Sequence, residues 1–287
     1  MRYAITDLLP AADRANVCLP AFDIADGQRE FLLGVLDACQ KARCPALLLA
    51  WSGPHTLAAL EATIDLVNYH AERATVPVVL HLDHGPDEVV VAKALELGMR
   101  SVMYDGSALP LEENIRRTKA LTELAHSHGA FLEGEIGRIG AKLADGLGAH
   151  ALTDPQEAAE FVRATGIDML APAVGNVHGF YKAPPKLHFD LIAKIRQHVS
   201  VPLSLHGGTG IPCSDVCKAA KMGFRKINVA TALHHAFSLS LRAASEPGMV
   251  GTEKPRGWQQ VLAGGRAAVA AAAMEYIDGL GVGGLVP

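Results

Sequence analysis

Short apolar stretches alternate with longer amphipathic stretches along the whole chain, and this alternation predicts the secondary structure. The apolar stretches are continuous hydrophobic runs, as expected of parallel strands that are covered by helices. Several of the longer stretches begin with proline and acidic residues and end with glycine, the usual order of helix signals. We predict strands at VCLPAFD, ALLLAW, PVVLHLD, SVMYDG, AFLEGEI, MLAPAVG, PLSLHG and KINVA.

About eight strand–helix units are the number that closes a (β/α)8 barrel. We therefore predict an α/β protein with a TIM-barrel fold, in which residues 1–287 form a single domain. The tail from about Thr252 onward is expected to add an extra C-terminal helical segment. A doubly wound open sheet is the alternative fold, but it usually places a glycine-rich turn after its first strand. The stretch FDIADGQRE lacks that GxGxxG pattern.

Composition and charge exclude several classes of protein. The net charge of −4 provides no basic surface, so we expect no nucleic-acid partner. No apolar run reaches the roughly 18–20 residues that a membrane helix needs, and the N-terminus lacks the apolar segment of a signal peptide. The five cysteines form an odd number without tight pairing, which indicates reduced thiols and a cytoplasmic protein.

Polar side chains follow the ends of the predicted strands, where barrels of this kind carry their active sites. In chain order these residues are Asp23, Asp83, His84, Asp105, Glu135, His178, His206, Asn228 and Thr231. Three histidines at such ends suit a zinc-type ion, which commonly takes three protein ligands and keeps one position open. We interpret His81 as a structural or supporting residue. The remaining histidines, which include His234 and His235, are expected to be solvated rather than catalytic.

The last two strands lead into loops that suit an anion. The stretch HGGTG offers backbone N–H groups and a hydroxyl, and NVAT leads directly into a helix start. Both features favour phosphate binding, although glycines of this kind can also serve only to make tight turns. A metal beside a phosphate site indicates a phosphorylated carbonyl substrate and an enediolate intermediate. Asp83 would then be a proton-transfer group, or else a supporting carboxylate or a helix cap.

The motifs HLDHG, SVMYDGS, LEGEIGRIG, AVGNVHGFYK, LHGGTGIP and KINVAT together resemble those of the class II, zinc-dependent ketose-bisphosphate aldolases. The resemblance covers most of the chain. It implies reversible cleavage of a phosphorylated ketose to dihydroxyacetone phosphate and an aldehyde through a zinc-stabilised enediolate. It also implies Zn²⁺ or another divalent ion, a monovalent cation (Na⁺ or K⁺) near the phosphate loops, and a homodimer or homotetramer.

The resemblance also implies a role for each matching residue. Metal binding would fall to His84, His178 and His206, with Glu135 as a ligand of an alternative or second zinc site. Asp83 would take the proton of the C4 hydroxyl in cleavage and return it in condensation. Dihydroxyacetone phosphate would be held by Gly179, Gly207, Gly208, Thr209, Asn228, Val229, Ala230 and Thr231. Asn228 would also meet the enediolate. Arg256, in a KPR that is similar to the family's DPR, would reach the second phosphate in a neighbouring subunit.

Three departures from the family pattern concern the aldehyde half of the substrate and one proton-transfer group. Asp23 stands where the family has an asparagine near the substrate, and a fixed negative charge there disfavours a phosphate. The family's mobile loop carries a glutamate that is thought to move the C3 proton, whereas GAKLADGLG retains only Asp145. Trp51 stands about where the family has a small polar residue, with Ser52 as the alternative if the register shifts by one position. We therefore expect an aldolase whose aldehyde is not necessarily glyceraldehyde 3-phosphate. A non-catalytic accessory subunit and a metal-dependent hydrolase are the alternatives.

Overall fold

Parallel strands pair in chain order around a closed barrel, and the last strand pairs with the first. The computed structural model describes residues 3–25, 27–50, 57–139, 152–179, 185–244 and 257–286. Within them the barrel strands are β1 Leu19–Asp23, β2 Ala46–Ala50, β3 Val78–Gly85, β4 Ser101–Tyr104, β5 Phe131–Ile136, β6 Met169–Pro172, β7 Leu203–Leu205 and β8 Phe224–Val229. The predicted (β/α)8 barrel is confirmed.

Helices follow the strands and cover the outside of the barrel. Their bounds are α1 Ile5–Ala15, α2 Arg29–Ala42, α3 Leu57–Ala71, α4 Glu88–Glu96, α5 Leu111–Ser127, α6 Pro155–Thr165, α7 Phe189–His198, α8 Cys213–Ala220, α9 Thr231–Ala244 and α10 Trp258–Gly279. Helix α10 confirms the predicted C-terminal helical segment. Helix α1 precedes the barrel, and no helix was predicted there. None of the described helices is both long enough and apolar enough to cross a membrane.

The register of the strands decides which side chains point into the barrel. Ala21 pairs with Asn228, and Leu49 pairs with both Asp23 and His81. Since partners in register share a face and every second residue of a strand repeats it, these positions all face inward. The C-terminal ends of the strands therefore direct a ring of side chains into one mouth of the barrel.

A buried layer of polar residues lies beneath this mouth. The ammonium group of Lys226 on β8 donates to both carboxylate oxygens of Glu133 on β5, at 3.1 and 2.9 Å, and to Ser204 Oγ at 3.2 Å. His81 Nδ1 lies 2.7 Å from Ser101 Oγ. All of these side chains are buried. Burying a charge pair is costly unless its groups are well hydrogen-bonded, and Lys226 meets this condition through Glu133 and Ser204.

Candidate active site

Three histidines from three different strand ends meet at the mouth of the barrel. His84 lies near the end of β3, His178 follows β6, and His206 directly follows β7. The three rings approach edge-on, with centroids 4.9, 4.7 and 6.0 Å apart. One nitrogen from each ring lies within 4.8 Å of the others, a separation that fits ligands of a single metal ion. The barrel thus brings together the residues that the sequence separates by many positions.

Carboxylates orient two of these rings. His84 Nδ1 lies 2.9 Å from Asp105 Oδ2, and His206 Nε2 lies 2.8 Å from Glu133 Oε1. A ring nitrogen that faces a carboxylate carries the proton, so the other nitrogen of the ring is the one turned to the cluster. These other nitrogens, His84 Nε2 and His206 Nδ1, lie 3.0 Å apart. Each ring is therefore fixed in the orientation that a metal ligand needs.

The backbone at His84 has a conformation that non-glycine residues rarely adopt. Its φ angle is +47°, and the pairing of β3 with β4 is irregular between Leu82 and Gly85. A side chain at Gly85 would collide with the carbonyl oxygen of Met103, so only glycine fits the next position. Such strain persists where the surrounding fold enforces it, and it is common at functional sites.

The protonation of the three histidines suits a cation. Burial lowers the pKa of His178 to about 3, and burial lowers the pKa of His206 too. Burial alone would lower the pKa of His84, but Asp83 and Asp105 outweigh it and raise that pKa to about 10. Two rings are therefore neutral at pH 7, and the third holds a proton between its Nε2 and His206 Nδ1. A cation bound there would take the place of this proton.

Two buried atoms in the cluster have no hydrogen-bond partner among the described residues, and both are potential metal ligands. They are His178 Nε2 and Glu135 Oε2. Glu135 Oε2 lies 3.8 Å from His84 Nδ1 and 3.9 Å from His206 Nδ1, and burial raises the pKa of this carboxyl well above its usual value. With His84 and Asp105, it forms a second set of ligand atoms within 4.8 Å. The nitrogen and oxygen donors present fit a zinc-type ion.

Asp83 lies beside the histidines and is held by an amide. Asn228 Nδ2 donates to Asp83 Oδ1 at 2.7 Å, and Asn228 Oδ1 is buried without a hydrogen-bond partner in the described part of the chain. Burial alone would raise the pKa of Asp83, but the positive charges around it, above all on His84 and also on Lys226, outweigh burial and lower the pKa. The carboxylate is therefore ionised and can accept a proton.

Asp83 is not the cap of the following helix, an alternative that the sequence left open. Helix α4 begins after Asp87, whose carboxylate accepts from the Val90 N–H at 2.9 Å. Asp83 and Asp87 therefore have separate roles, and the first of them faces the histidines.

The loops after β7 and β8 form one continuous surface beside the histidines. Gly208 N–H donates to the carbonyl oxygen of Asn228 at 2.9 Å, and Ala232 N–H donates to Thr209 Oγ1 at 3.1 Å. At Gly207 the φ angle is +64°, and a side chain there would collide with the carbonyl oxygen of Val177. Close approach of the loops therefore requires this glycine whether or not a phosphate binds.

The remaining predicted binding residues lie around the same mouth. Gly179, with a φ angle of +88°, directly follows His178. Val229 ends β8, Ala230 follows it, and Thr231 begins α9. The predicted phosphate-binding residues of β8 therefore lie at the C-terminal end of that strand and at the start of α9.

The model of the family described as fructose-bisphosphate aldolase class-II matches residues 3–284. The chain belongs to this family. The resemblance seen in the motifs is thus confirmed. Family membership, together with the aldolase structures described next, supports aldolase activity, which is a lyase reaction, and the class-II aldolases are generally zinc-dependent.

Known proteins resemble this member of the family over most of its length. The Escherichia coli K12 protein YdjI, named as uncharacterized, is 39% identical over 215 residues, which are 74% of this chain and 77% of YdjI. The crystal structure of the YdjI aldolase has a TM-score of 0.84 at 32% identity and covers 99% of this chain and 98% of that one. The fructose-bisphosphate aldolase Fba from Campylobacter jejuni shares the fold, with a TM-score of 0.80 at 22% identity over 97% and 94% of the two chains.

Asp23, the residue that departs from the family's asparagine, has a histidine as its partner. It is 2% exposed, and its Oδ1 accepts from the Ala25 N–H at 2.6 Å and lies 3.1 Å from His234 Nε2. Burial raises the pKa of Asp23, and His234 offsets part of this rise. His234, which was expected to be solvated, is 47% exposed and also contacts this buried carboxylate.

Glu133 and Lys226 were not among the site residues predicted from the sequence. Glu133 precedes Glu135 by two positions in LEGEI, and Lys226 precedes Asn228 by two in KINV. A period of two places both members of each pair on one face of a strand, so this signal could have found them. Burial opposes ionisation of Glu133, but Lys226 and His206 outweigh it and hold its pKa well below the usual value.

Three residues with predicted roles lie outside the described residues. They are Trp51, Asp145 and Arg256.

Proposed function

We propose that the protein reversibly cleaves a phosphorylated ketose to dihydroxyacetone phosphate and an aldehyde, with a divalent cation, Zn²⁺ in the first place, held by His84, His178 and His206. One observation carries the proposal: the three inward-facing histidine nitrogens lie within 4.8 Å of one another beside the ionised Asp83. When bound, the cation would polarise the ketose carbonyl and stabilise the negative charge of the enediolate.

The residues of the chain account for the proton transfers. In cleavage, Asp83 takes the proton of the C4 hydroxyl as C4 becomes a carbonyl and the C3–C4 bond breaks. The electron pair of that bond passes into the enediolate, which is then protonated at C3. The amide of Asn228 holds Asp83 Oδ1 at 2.7 Å, which keeps the base in place. Condensation reverses these steps, and we assign the C3 proton to Asp145.

Phosphate binding completes the proposed site. We assign the phosphate of dihydroxyacetone phosphate to Gly179, Gly207, Gly208 and Thr209 and to the turn Asn228 to Thr231, because the loops after the last two strands of such barrels and the positive end of a helix dipole favour anions. The buried, unpartnered Asn228 Oδ1 is a further acceptor for a substrate hydroxyl.

Further parts of the proposal come from the family resemblance. A Na⁺ or K⁺ ion would lie near the phosphate loops, and Arg256 would act in a neighbouring subunit of a cytoplasmic homodimer or homotetramer. The partner of dihydroxyacetone phosphate is an aldehyde that is not necessarily glyceraldehyde 3-phosphate, since Asp23, Trp51 and the loop around Asp145 depart from the family pattern.

A coupled assay for released dihydroxyacetone phosphate tests the proposal. The protein, loaded with zinc, is given a panel of ketose monophosphates and bisphosphates with and without a chelator. We expect chelator-sensitive release from at least one sugar. Release of inorganic phosphate instead would indicate a hydrolase. No release from any sugar, with zinc shown to be bound, would indicate an accessory subunit and would overturn the proposal.

A further inference from the structure

A buried carboxylate lies next to the turn to which we assign the substrate phosphate. In the register of β1 with β8, Phe22 pairs with Val229, so Asp23 comes level with Ala230 in the turn before α9. Asp23 faces into the barrel, as does Asn228. An anion bound at the turn before α9 would therefore lie beside the carboxylate of Asp23, and like charges at short range oppose binding.

The local turn at Asp23 does not require a charge. Asp23 Oδ1 accepts from the Ala25 N–H at 2.6 Å, a contact two residues along the chain that an asparagine oxygen makes equally well. An asparagine, which the family resemblance places here, would give the same turn without repelling a phosphate. The aspartate is thus a local disadvantage unless another residue compensates for it.

His234 is placed to compensate for it. Its Nε2 lies 3.1 Å from Asp23 Oδ1, and it stands in the first turn of α9, where its N–H donates to the Ala230 carbonyl oxygen at 3.2 Å. The imidazole packs against Phe31 with ring centroids 5.1 Å apart, which fixes its direction. Its side chain is 47% exposed, so a proton can reach it from solvent. One residue therefore connects the buried carboxylate to the helix that begins at the proposed phosphate turn.

We propose that His234 is a specificity-determining residue, which compensates the charge of Asp23 by hydrogen bonding and by its own positive charge and so allows the turn before α9 to accept a phosphate ester. This inference rests on the proposed function, because it takes the phosphate site from it. It links Asp23, which stands where the family has an uncharged asparagine, to a histidine 211 positions farther along the chain. The distinctive consequence is that the effects of the two residues are coupled. Phosphate binding needs His234 only while Asp23 is present.

Binding of dihydroxyacetone phosphate and of inorganic phosphate to the zinc-loaded, full-length protein, measured by calorimetry, tests this coupling without turnover. His234→Phe keeps the ring packing on Phe31 and removes the N–H that faces Asp23. We expect it to weaken binding about tenfold, the scale of one partly screened charge. Asp23→Asn alone is expected to bind at least as tightly as the wild type. The double variant Asp23→Asn/His234→Phe is expected to match Asp23→Asn within about twofold.

His235→Phe is the matched control, since it removes the neighbouring exposed histidine of the same helix and is expected to leave binding unchanged. A double variant as weak as His234→Phe would show that His234 acts through packing, and it would overturn the inference. Unchanged binding in His234→Phe would also overturn it. If the wild type binds neither probe, the phosphate site of the proposed function fails as well. If the wild type binds both probes but the variants show no coupling, only this inference fails.

Discussion

The mouth of the barrel and the polar layer beneath it differ in how their buried atoms are satisfied. At the mouth, His178 Nε2, Glu135 Oε2 and Asn228 Oδ1 have no hydrogen-bond partner among the residues described. Beneath it, Glu133 accepts from both Lys226 and His206. Unpaired buried atoms are costly, so those at the mouth are best explained by a ligand that satisfies them.

The comparison separates groups that would contact the substrate or cation from groups that support them. His206 belongs to both layers, because its Nδ1 faces the cluster while its Nε2 lies 2.8 Å from Glu133. One buried atom of the lower layer differs from the other polar atoms there. His81 Nε2 has no hydrogen bond in the described part of the chain and lies 3.5 Å from Glu133 Oε2. Variants in each layer should therefore fail in different ways.

The largest effect is expected from removing a proposed metal ligand. His178→Ala should lower activity to that of the chelator-treated protein and should reduce bound zinc. The two remaining histidine nitrogens, even with the Glu135 carboxylate, hold the ion less tightly than three histidine nitrogens do. Zinc content is measured by elemental analysis alongside dihydroxyacetone phosphate release. His198→Ala, at the exposed end of α7, is the control. Full zinc content and activity in His178→Ala would contradict the assignment.

Removal of the proposed base should abolish turnover while the metal site remains intact. Asp83→Ala is expected to lower kcat by about 10²–10⁴-fold, the usual contribution of a positioned general base. Bound zinc should stay at the wild-type level, because Asp83 is not among the three histidine ligands. The measurement is steady-state cleavage with zinc content determined on the same sample. Unimpaired turnover would rule out the role of Asp83.

A substitution in the lower layer should lower both the affinity for the metal and the stability of the fold. Lys226→Met leaves the buried Glu133 without its cation, which is expected to cost about 3–5 kcal/mol of the free energy of unfolding. It should also weaken zinc binding about 10–100-fold, because Glu133 orients His206. Chemical denaturation and competition with a zinc chelator measure the two effects.

Lys221→Met, which replaces an exposed lysine on the outside of the barrel, is the control for Lys226→Met. Loss of stability with unchanged zinc affinity would show that the layer supports the fold but does not position His206.

The two layers also differ in how far the sequence could predict them. The hydrophobic runs predicted the barrel. The positions of the strand ends predicted His84, His178 and His206, because a closed parallel sheet brings its C-terminal ends to one mouth. The salt bridge beneath joins Glu133 to Lys226 across 93 positions. A pattern within one strand shows which face a residue occupies, but not which residue of another strand meets it.

Asp23 and His234 illustrate the same limit at the mouth. The sequence showed that Asp23 carries a charge in an unfavourable place, and it placed His234 among solvated histidines. Their contact, at 3.1 Å, spans 211 positions and depends on the register of β1 with β8. Helix α1 was missed for a different reason: its buried face is short, with only Ile5, Leu8, Ala11 and Ala12, and Pro10 interrupts its pattern.

The smallest effect is expected from replacing Asp87, a carboxylate that lies close to Asp83 in the sequence. Asp87→Ala removes the cap of α4, whose carboxylate accepts from the Val90 N–H at 2.9 Å, and should cost about 1 kcal/mol of stability. For a chain of this size, that lowers Tm by about 2 °C. Asp87→Asn keeps a capping oxygen and should stay near the wild type. Neither variant should change kcat, because Asp87 is exposed, caps α4 and is not among the proposed site residues. If Asp87→Ala reduced kcat as strongly as Asp83→Ala, the distinction between a group that reacts and a group that supports would fail at this strand end.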